Sequence, residues 1–397
     1  MNNMLNYYLK ITYFMPYFKM NWITNDNTII FSPEFNEELS IELIYGFTKL
    51  IFSNYELNEK LFEHYTNNDF LSLSHKFSKF NKDVSILPHS LTHLIFGYRF
   101  NQNISVLPPF LTNLTFGTLF NQDVSNLPQS ITHLTFGCDF NQDVSALPPF
   151  LTYLTFGYRF NQYVWRLPLN ITHLTFCYCF NQDVSSLPHS LTYLIFGERF
   201  DKDVSDLPLN ITHLTFGYYF NQDVSKLPHG LTHLIFGYFF NQDVSVLPPF
   251  LTHLTFDSHF NQDISVLPPT LICLTLGYGF MKECNALPNI KYLKLNTNNP
   301  HIIDFLPNSI VELELYDYFN LQINNLPTSI KKLVISKNNN YYNTDLNCLP
   351  DFIEELQLNK TYAKRILKIP SNLKKLICHK NYPYINDFLM CCIETYT

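Results

Sequence analysis

The chain has 397 residues and a formal net charge of −7. Apolar residues make up 46% of it and charged residues only 15%, with no cluster of Lys and Arg. A basic surface, the electrostatic footprint of a nucleic-acid-binding protein, is therefore not expected. The nine cysteines follow no common spacing, so we expect free thiols in a reducing compartment such as the cytoplasm.

The N-terminal residues 1–25 contain no recognisable repeat. The apolar stretch 11–18 lies between Lys10 and Lys19, and it is too short to span a bilayer. It also lacks a small-residue cleavage site, so a signal peptide is not predicted. Degenerate repeats follow over residues 26–79, where the segments 29–31 and 47–52 resemble strand segments found later in the chain.

A regular block covers residues 80–288. Phenylalanine recurs every 20 residues from Phe80 to Phe280, and a Leu-Pro pair recurs with the same spacing from 87–88 to 287–288. A strict short period is typical of a stacked repeat protein, in which each repeat packs on its neighbours. Divergent repeats follow over residues 289–378, and we expect a C-terminal cap over 379–397. In all, the chain is predicted to form about 18 turns of about 20 residues.

The turn 220–240, FNQDVSKLPHGLTHLIFGYFF, shows what one repeat encodes. Alternation across Leu234, Ile235 and Phe236 predicts a short strand. Identical strands one turn apart must pair in parallel, about 4.8 Å from each other. Six apolar side chains per turn are expected to point inward, namely Phe220, Val224, Leu227, Leu231, Leu234 and Phe236.

The remaining repeated positions are predicted to shape the turns. Pro228 makes the return leg extended, because proline fixes φ and has no N–H. The spacing of Gly237 and its images suits a strand-end turn with positive φ, but Cys177 and Asp257 break the column, so the conformation there cannot be one that only glycine adopts. Asp223 and its images are predicted to cap a turn rather than bind calcium, since no glycines surround them. Twenty residues leave no room for a multi-turn helix, so we predict a helix-poor horseshoe with a concave parallel β-sheet.

Two resemblances sharpen this prediction. The pattern Leu-x-x-Leu-x-Phe with Leu-Pro every 20 residues resembles a leucine-rich repeat of the shortest class. The phrase Phe-Asn-x-x-x-x-x-Leu-Pro-x-x-Leu-Thr-x-Leu-x-Phe-Gly resembles the FNIP repeat, a family of social amoebae and giant viruses of amoebae. One departure is that Asn101 and its images stand two residues later than the leucine-rich consensus places asparagine, so the turn must close differently.

The FNIP resemblance implies a role in protein interaction. Some members of the family resemble ubiquitin-ligase adaptors, which carry an F-box before the repeats. Residues 1–25 are shorter than the helical segment an F-box needs, so an adaptor would have to dock its ligase through this short stretch. We retain this as the alternative function, together with a structural repeat array that has no dedicated ligand.

The candidate binding surface is the outward side of the concave sheet, which carries Thr, His and Tyr and almost no charge. Aromatic and amphipathic side chains of this kind dominate protein-binding surfaces. The central column contains His93, His133, Tyr153, His173, Tyr193, His213, His233 and His253. A tyrosine row follows the strands and contains Tyr98, Tyr158, Tyr178, Tyr218, Tyr238 and Tyr278.

The histidine column has other interpretations. Parallel side chains project side by side rather than toward one point, so we predict no metal and no cofactor. The column could also be only a solvated sheet surface. Protonation of neighbouring imidazoles should be repulsive, so we expect stability or binding to weaken below about pH 6. In the divergent repeats, alternating charges such as Glu312 and Lys332 are expected to pair across strands.

The chain contains no catalytic motif such as G-x-S-x-G, G-x-x-x-x-G-K or His-Glu-x-x-His, so we predict that it is not an enzyme. The predicted function is a non-enzymatic scaffold that binds a protein partner through the concave face. Neither nucleic acid nor membrane is expected as a partner, and a monomer is predicted. The expected location is the cytoplasm, which would be that of the host if the protein is viral.

Overall fold

The fold was analysed in a computed structural model, which describes residues 21–55, 76–283 and 287–397. The chain divides into two compact units, Met1–Tyr158 and Arg159–Thr397. Each unit is a stack of short strands joined by extended return legs. Counted over both units, the protein is a helix-poor parallel β-solenoid of about 17 turns, which confirms the predicted fold class and lies close to the predicted 18.

The described part of the first unit begins with an antiparallel hairpin and continues as a parallel sheet. Strand β1 (Trp22–Asn25) pairs antiparallel with β2 (Thr28–Phe31), and β2 then begins the parallel series. A short helix α1 (Ile41–Ile44) precedes β3. The parallel strands after β2 are β3 (Lys49–Phe52), β4 (His93–Ile95), β5 (Asn113–Thr115), β6 (His133–Thr135) and β7 (Tyr153–Thr155).

The second unit is parallel throughout its described strands. These are β8 (His173–Thr175), β9 (Tyr193–Ile195), β10 (His213–Thr215), β11 (His233–Ile235), β12 (His253–Phe256), β13 (Cys273–Leu276), β14 (Tyr292–Leu295), β15 (Glu312–Leu315), β16 (Lys332–Ile335), β17 (Glu355–Gln357), β18 (Lys375–His379) and β19 (Cys392–Tyr396). Helix α2 (Pro300–Asp304) and a 3-10 helix (Ile385–Phe388) are short. No helix in the described ranges has the length and apolarity needed to cross a membrane.

The register of the parallel strands places residues from equivalent positions of neighbouring repeats side by side. His213 pairs with His233, and Leu214 pairs with Leu234, so each sequence column becomes a row along the stack. The predicted core is confirmed, because the inward side chains of the turn 220–240 are all at most 4% exposed: Phe220, Val224, Leu227, Leu231, Leu234 and Phe236. Burial of large apolar side chains, each worth about 1.5–3 kcal/mol, is therefore repeated in every turn.

Two phenylalanines of each regular turn stack face to face between the strand and the return leg. The ring centroids of Phe236 and Phe240 are 3.7 Å apart, with 7° between the ring planes. Phe256 belongs to the corresponding pair of the next turn, and its ring centroid lies 5.5 Å from that of Phe236. In the divergent turns the return leg carries Phe319 and then Tyr342, whose centroids are 6.2 Å apart. The core therefore stays aromatic on this side even where the repeat drifts.

The turn closes through a ladder of asparagines, which resolves the departure from the leucine-rich consensus. The backbone N–H of Asn241 donates to Oδ1 of Asn221, one turn earlier, at 2.9 Å. Gln242 Nε2 donates to the Asn221 carbonyl oxygen, also at 2.9 Å. In the divergent turns a buried Asn339 instead donates from Nδ2 to the Phe319 carbonyl oxygen at 2.9 Å. Backbone groups on the return leg are thus satisfied without a helix.

The expectation of positive φ at the glycine column is wrong. Among the described residues the only glycine with positive φ is Gly46. The column needs glycine because the turns approach closely there: a Cβ built on Gly237 would lie 2.1 Å from the Gly217 carbonyl oxygen. Where the column holds glycine, the close approach uses the absence of a side chain rather than an unusual backbone conformation; Cys177 and Asp257 are the two exceptions in the column.

Replacing Gly237 by Ala should lower the free energy of unfolding by about 1–3 kcal/mol, because the added methyl group forces two turns apart. Urea denaturation of the full chain would measure this. Gly230→Ala is the matched control, since the nearest atom to its Cβ would be 3.4 Å away. Equal stability of the two variants would contradict the close-approach explanation.

Candidate functional site

The candidate surface consists of the solvent-side residues of the strands, which we call the open face: positions 92, 93 and 95 and their images. A ladder of threonines supports it. The hydroxyl of Thr232 donates to the Thr212 carbonyl oxygen at 3.1 Å, while the backbone N–H of Thr232 reaches the same oxygen at 2.9 Å. The threonine column is therefore part of the sheet hydrogen bonding, and the histidine column stands on it.

In the second unit the predicted central column forms one continuous stack of five rings, which we call the ring stack. Centroid distances between neighbours are 5.5 Å, 5.0 Å, 4.2 Å and 4.2 Å in the order His173, Tyr193, His213, His233 and His253. The planes of His213 and His233 are inclined by only 12°. The sequence predicted side-by-side projection, and parallel strands hold these rings face to face.

The first unit brings fewer of the predicted residues together. His133 stacks on Tyr153 at 4.5 Å. His93 lies on β4 and His133 on β6, with Asn113 of β5 between them, so the ring series is interrupted there. The side chain of Asn113 accepts a hydrogen bond from Thr112 Oγ1 at 2.9 Å.

The threonine ladder also decides which imidazole nitrogen carries the proton. Thr232 Oγ1 lies 2.9 Å from His233 Nδ1 and 3.1 Å from the Thr212 carbonyl oxygen. A carbonyl can only accept, and a hydroxyl has a single proton. Both contacts are satisfied only when the hydroxyl donates to the carbonyl and Nδ1–H donates to the hydroxyl oxygen. The neutral histidine therefore has its unprotonated nitrogen at Nε2, where it can accept a hydrogen bond.

Burial lowers the pKa of three histidines in the column. For His233, loss of hydration is the largest cause, and the neighbouring His213 and His253 lower the pKa further. For His173 the causes are burial and then His213. For His93 they are burial, then Lys49 and His133. The folded protein thus favours neutral imidazoles, and repulsion between stacked rings contributes to this preference.

The tyrosine row lies just after the strands, and it too is partly ordered by stacking. Tyr218 and Tyr238 are 4.6 Å apart with 4° between their planes. Tyr98 packs on Phe77 at 4.2 Å. The Arg199 guanidinium lies 5.3 Å from the centre of the Tyr178 ring. Tyr158 is 44% exposed. The row therefore consists of local aromatic groups rather than one uninterrupted stack.

The divergent turns carry the predicted charge pairs, with one change of partner. Lys332 Nζ lies 3.1 Å from Glu312 and 3.9 Å from Glu355, as the alternation predicted. Lys375, however, pairs with Glu394 on β19 at 2.7 Å. Exposed pairs of this kind contribute about 0–1 kcal/mol each, so this region is charged and self-satisfied on its surface.

The aspartate column caps turns, as predicted. In the turn after Phe220, Asp223 Oδ1 accepts the backbone N–H of Ser225 at 2.9 Å, and Oδ2 accepts its hydroxyl at 2.8 Å. These hydrogen bonds lower the pKa of Asp223, with the backbone bond as the largest cause. Among the described residues, no group of three or more His, Cys, Asp or Glu side chains is arranged to hold a metal ion.

One turn breaks this capping pair at both positions, and the sequence interpretation missed it. Tyr163 stands where the other repeats that begin at Phe80 to Phe260 have Asp or Asn, and Trp165 stands where they have Ser. The two side chains are 66% and 56% exposed. Arg166 stacks on the Trp165 ring at 4.1 Å. The signal was available, because these are the most drastic changes at two columns that otherwise hardly vary.

The described surface offers only shallow depressions near these columns. One of about 120 Å³ is lined by Tyr163, Val164, Trp165, Asp183 and Ser186. Another of about 110 Å³ lies around Asn103 and Gln122. Both are small beside the roughly 300–1,000 Å³ of typical small-molecule sites. Extended surfaces, rather than enclosed cavities, are what these turns present.

Lowering the pH from about 7.5 to about 5.5 should reduce the melting temperature, because unfolded histidines with an ordinary pKa near 6.5 take up protons before the folded ones do. This stability is complete above about pH 6.5 and is lost as the pH falls toward the lowered pKa values of His93, His173 and His233. Each kcal/mol lost corresponds to about 2–4 °C. Calorimetry at both pH values measures it.

The matched control replaces the three consecutive histidines of the ring stack, in the variant His213→Gln, His233→Gln, His253→Gln. It should show a smaller change in melting temperature over the same interval. The aspartate column titrates below about pH 4 and does not contribute in this window. The same melting temperature for the wild-type protein at both pH values would contradict the prediction.

Restoring the capping pair with Tyr163→Asp and Trp165→Ser should raise the free energy of unfolding by about 0.5–1.5 kcal/mol, the usual contribution of a hydrogen bond. Urea denaturation would measure the gain. The converse variant, Asp223→Ala with Ser225→Ala, should lose a similar amount. If the variant with the restored capping pair has a lower free energy of unfolding than the wild type, Tyr163 and Trp165 stabilise the fold, and the prediction is contradicted.

One solved structure supports the repeat architecture, and a second similar structure is more distant. Among solved structures, CroV588, a circular leucine-rich-repeat protein from a giant virus, is 35% identical with a TM-score of 0.73. The match covers 91% of this chain and 58% of that one, so this chain spans less than two thirds of that protein's length. YopM from Yersinia enterocolitica WA-314 is 19% identical, with 74% of each chain covered and a TM-score of 0.41.

No curated protein sequence matches the chain. The sequence profile described as FNIP Repeat does match, over more than half of the residues. The matched ranges are 80–118, 100–139, 166–199, 203–239, 240–279, 287–318 and 298–338. Repeat folds of this leucine-rich type are generally used for protein–protein interaction and are typically non-enzymatic. The chain belongs to the FNIP repeat family.

Proposed function

We propose that this protein is a non-enzymatic scaffold that binds a protein partner on the open face, in the cytoplasm of its cell or of an infected host. The observation that carries the proposal is the ring stack of His173, Tyr193, His213, His233 and His253. Stacking and the threonine ladder hold these side chains in place before any partner arrives. A pre-ordered surface loses little conformational entropy on binding.

The chemistry of the open face favours a partner with hydrogen-bond donors and apolar groups. Tyr153 and Tyr193 are 42% and 37% exposed and offer amphipathic contact area. The neutral imidazoles offer Nε2 as an acceptor above an uncharged threonine ladder. Protein interfaces use such aromatic residues at their centres, where charged residues are depleted.

The alternative of a ubiquitin-ligase adaptor rests on residues 1–25. Residues 1–20 lie outside the part of the chain that the structure describes, so this alternative stays a prediction. It differs from the scaffold proposal in one measurable way, since an adaptor would co-purify with a ligase subunit even after the open face is altered.

Replacing three members of the ring stack, in the variant Tyr193→Ala, His213→Ala, His233→Ala, should reduce recovery of the specific partner at least about tenfold, as loss of interface anchors does. Affinity purification from host cytoplasm with quantitative mass spectrometry would measure recovery. The control variant Val246→Ala, Val266→Ala removes exposed apolar groups on the return leg. A partner retained equally by both variants would show that the open face is not the binding surface.

A further inference from the structure

A cluster of aromatic side chains lies just beyond the ends of strands β10 to β12, and we call it the exit patch. It contains the exposed Tyr218, Tyr219 and His259 and the half-buried Tyr238 and Phe239. Tyr219 and Phe239 have centroids 5.5 Å apart, and Phe239 and His259 have centroids 4.7 Å apart. Tyr218 is 37% exposed and Tyr219 is 46% exposed. The patch is therefore ordered by ring contacts while much of its surface faces water.

Two carboxylates flank the exit patch, and both are departures from the repeat. Glu198 occupies the column that holds Tyr218 one turn later, and Glu198 Oε2 accepts the backbone N–H of Tyr218 at 3.1 Å. Asp257 occupies the column that holds Gly237 one turn earlier. Both charges reach the same ring: the pKa of Tyr218 is raised first by loss of hydration, then by Tyr238 and Tyr219, and then by Asp257 and Glu198.

The place of Asp257 is structurally demanding. In neighbouring turns this column is closed to side chains, since a Cβ on Gly237 would lie 2.1 Å from the Gly217 carbonyl oxygen. Strand β12 also differs from the preceding strands of the same unit, β8 to β11, because it continues for a fourth residue to Phe256. Asp257 thus stands where the three-residue strands give way to the four-residue strands β12 and β13. Positions that break a local packing rule are where function is expected.

Elsewhere in the same unit, some tyrosine rings lie beside the chain's own cations. Lys337 Nζ lies 4.5 Å from the centre of the Tyr396 ring, and Lys294 Nζ lies 6.0 Å from that of Tyr316. None of the cation–ring contacts within the described residues involves a ring of the exit patch. The patch therefore has rings that none of these cation contacts covers and two nearby negative charges, while Arg199, the residue after Glu198, lies over the Tyr178 ring.

We propose that the exit patch binds an arginine side chain on a basic segment of the protein partner, with the guanidinium against the rings and with Glu198 and Asp257 supplying charge. This proposal rests on the proposed scaffold function, and it specifies which chemical group of the protein partner the exit patch would bind. Arginine suits the patch better than lysine, because its planar, weakly hydrated guanidinium stacks on rings while donating hydrogen bonds. The net charge of −7 also favours a basic segment.

The test uses the full chain and a fluorescein-labelled Gly-Arg-Gly-Arg-Gly-Arg-Gly peptide, titrated at about pH 7.5 and followed by anisotropy. Wild-type protein should bind this peptide at least about tenfold more tightly than the same peptide with citrulline in place of arginine, because citrulline keeps the shape and loses the charge. The variant Tyr238→Leu, Phe239→Leu keeps apolar area and removes the ring faces, and it should weaken binding about tenfold.

Two further variants separate the contributions. Glu198→Gln with Asp257→Asn preserves size and should weaken binding several-fold, with a smaller salt dependence. Tyr193→Ala with His233→Ala alters the open face alone and should leave the peptide affinity unchanged. Melting temperatures of all variants, measured beside the wild type, show whether each one is folded at the assay temperature.

Three outcomes would overturn the proposal: equal binding of the arginine and citrulline peptides, unchanged affinity after loss of Tyr238 and Phe239, or no binding up to about 1 mM, a free energy near −4.1 kcal/mol. If the carboxylate variant binds more weakly while the variant at Tyr238 and Phe239 is unchanged, the second of these outcomes holds, and the peptide is bound by charge attraction without the rings. These results are separate from the partner-capture test, because the variants expected to weaken peptide binding, at Tyr238, Phe239, Glu198 and Asp257, do not alter the open face.

Discussion

A pair of phenylalanine rings, stacked face to face in each regular turn, is the contact on which the other features of the solenoid depend. Phe236 and Phe240 fill the space between the strand and its return leg, with centroids 3.7 Å apart. Because this pair must recur beside its copies, every turn has to return to the strand after the same number of residues. A constant turn length is what converts sequence columns into continuous rows on the surface.

The rows explain how one phrase of sequence can satisfy both backbone and surface. The asparagine row donates and accepts along the return leg, and the threonine row adds hydroxyl hydrogen bonds to the sheet. Parallel sheets usually join their strands through helices, whose internal hydrogen bonds satisfy the crossover. Here side-chain ladders perform that task, which is why a turn of this length can stay extended and nearly free of helix.

Because the repeat is so regular, the positions that depart from it are informative. Trp165 and Tyr163 replace a capping pair, while Glu198 and Asp257 replace a tyrosine and a glycine. These changes place aromatic rings or charges on the surface, where a binding partner could use them. In a repeat protein whose core positions barely vary, such substitutions are the residues most informative about function.

The repeat pattern was enough to predict the inward residues, the parallel register and the capping role of Asp223. Each follows from local alternation or from a short-range hydrogen bond, and a strict period multiplies one local argument along the chain. The glycine column was recognised but given the wrong cause. A positive φ is a property of one residue, whereas the actual constraint is the distance from Gly237 to the Gly217 carbonyl oxygen of the previous turn.

By itself, then, the sequence determined the repeat length, the core and the columns that face solvent, because these depend on the order of apolar and polar residues within one turn. Tertiary structure alone decided how neighbouring columns meet. The face-to-face ring stack around His233, the proton position on its imidazole and the carboxylates beside Tyr218 all depend on contacts between residues about one turn apart. Those contacts are set by strand spacing and side-chain orientation, which no pattern within a single turn encodes.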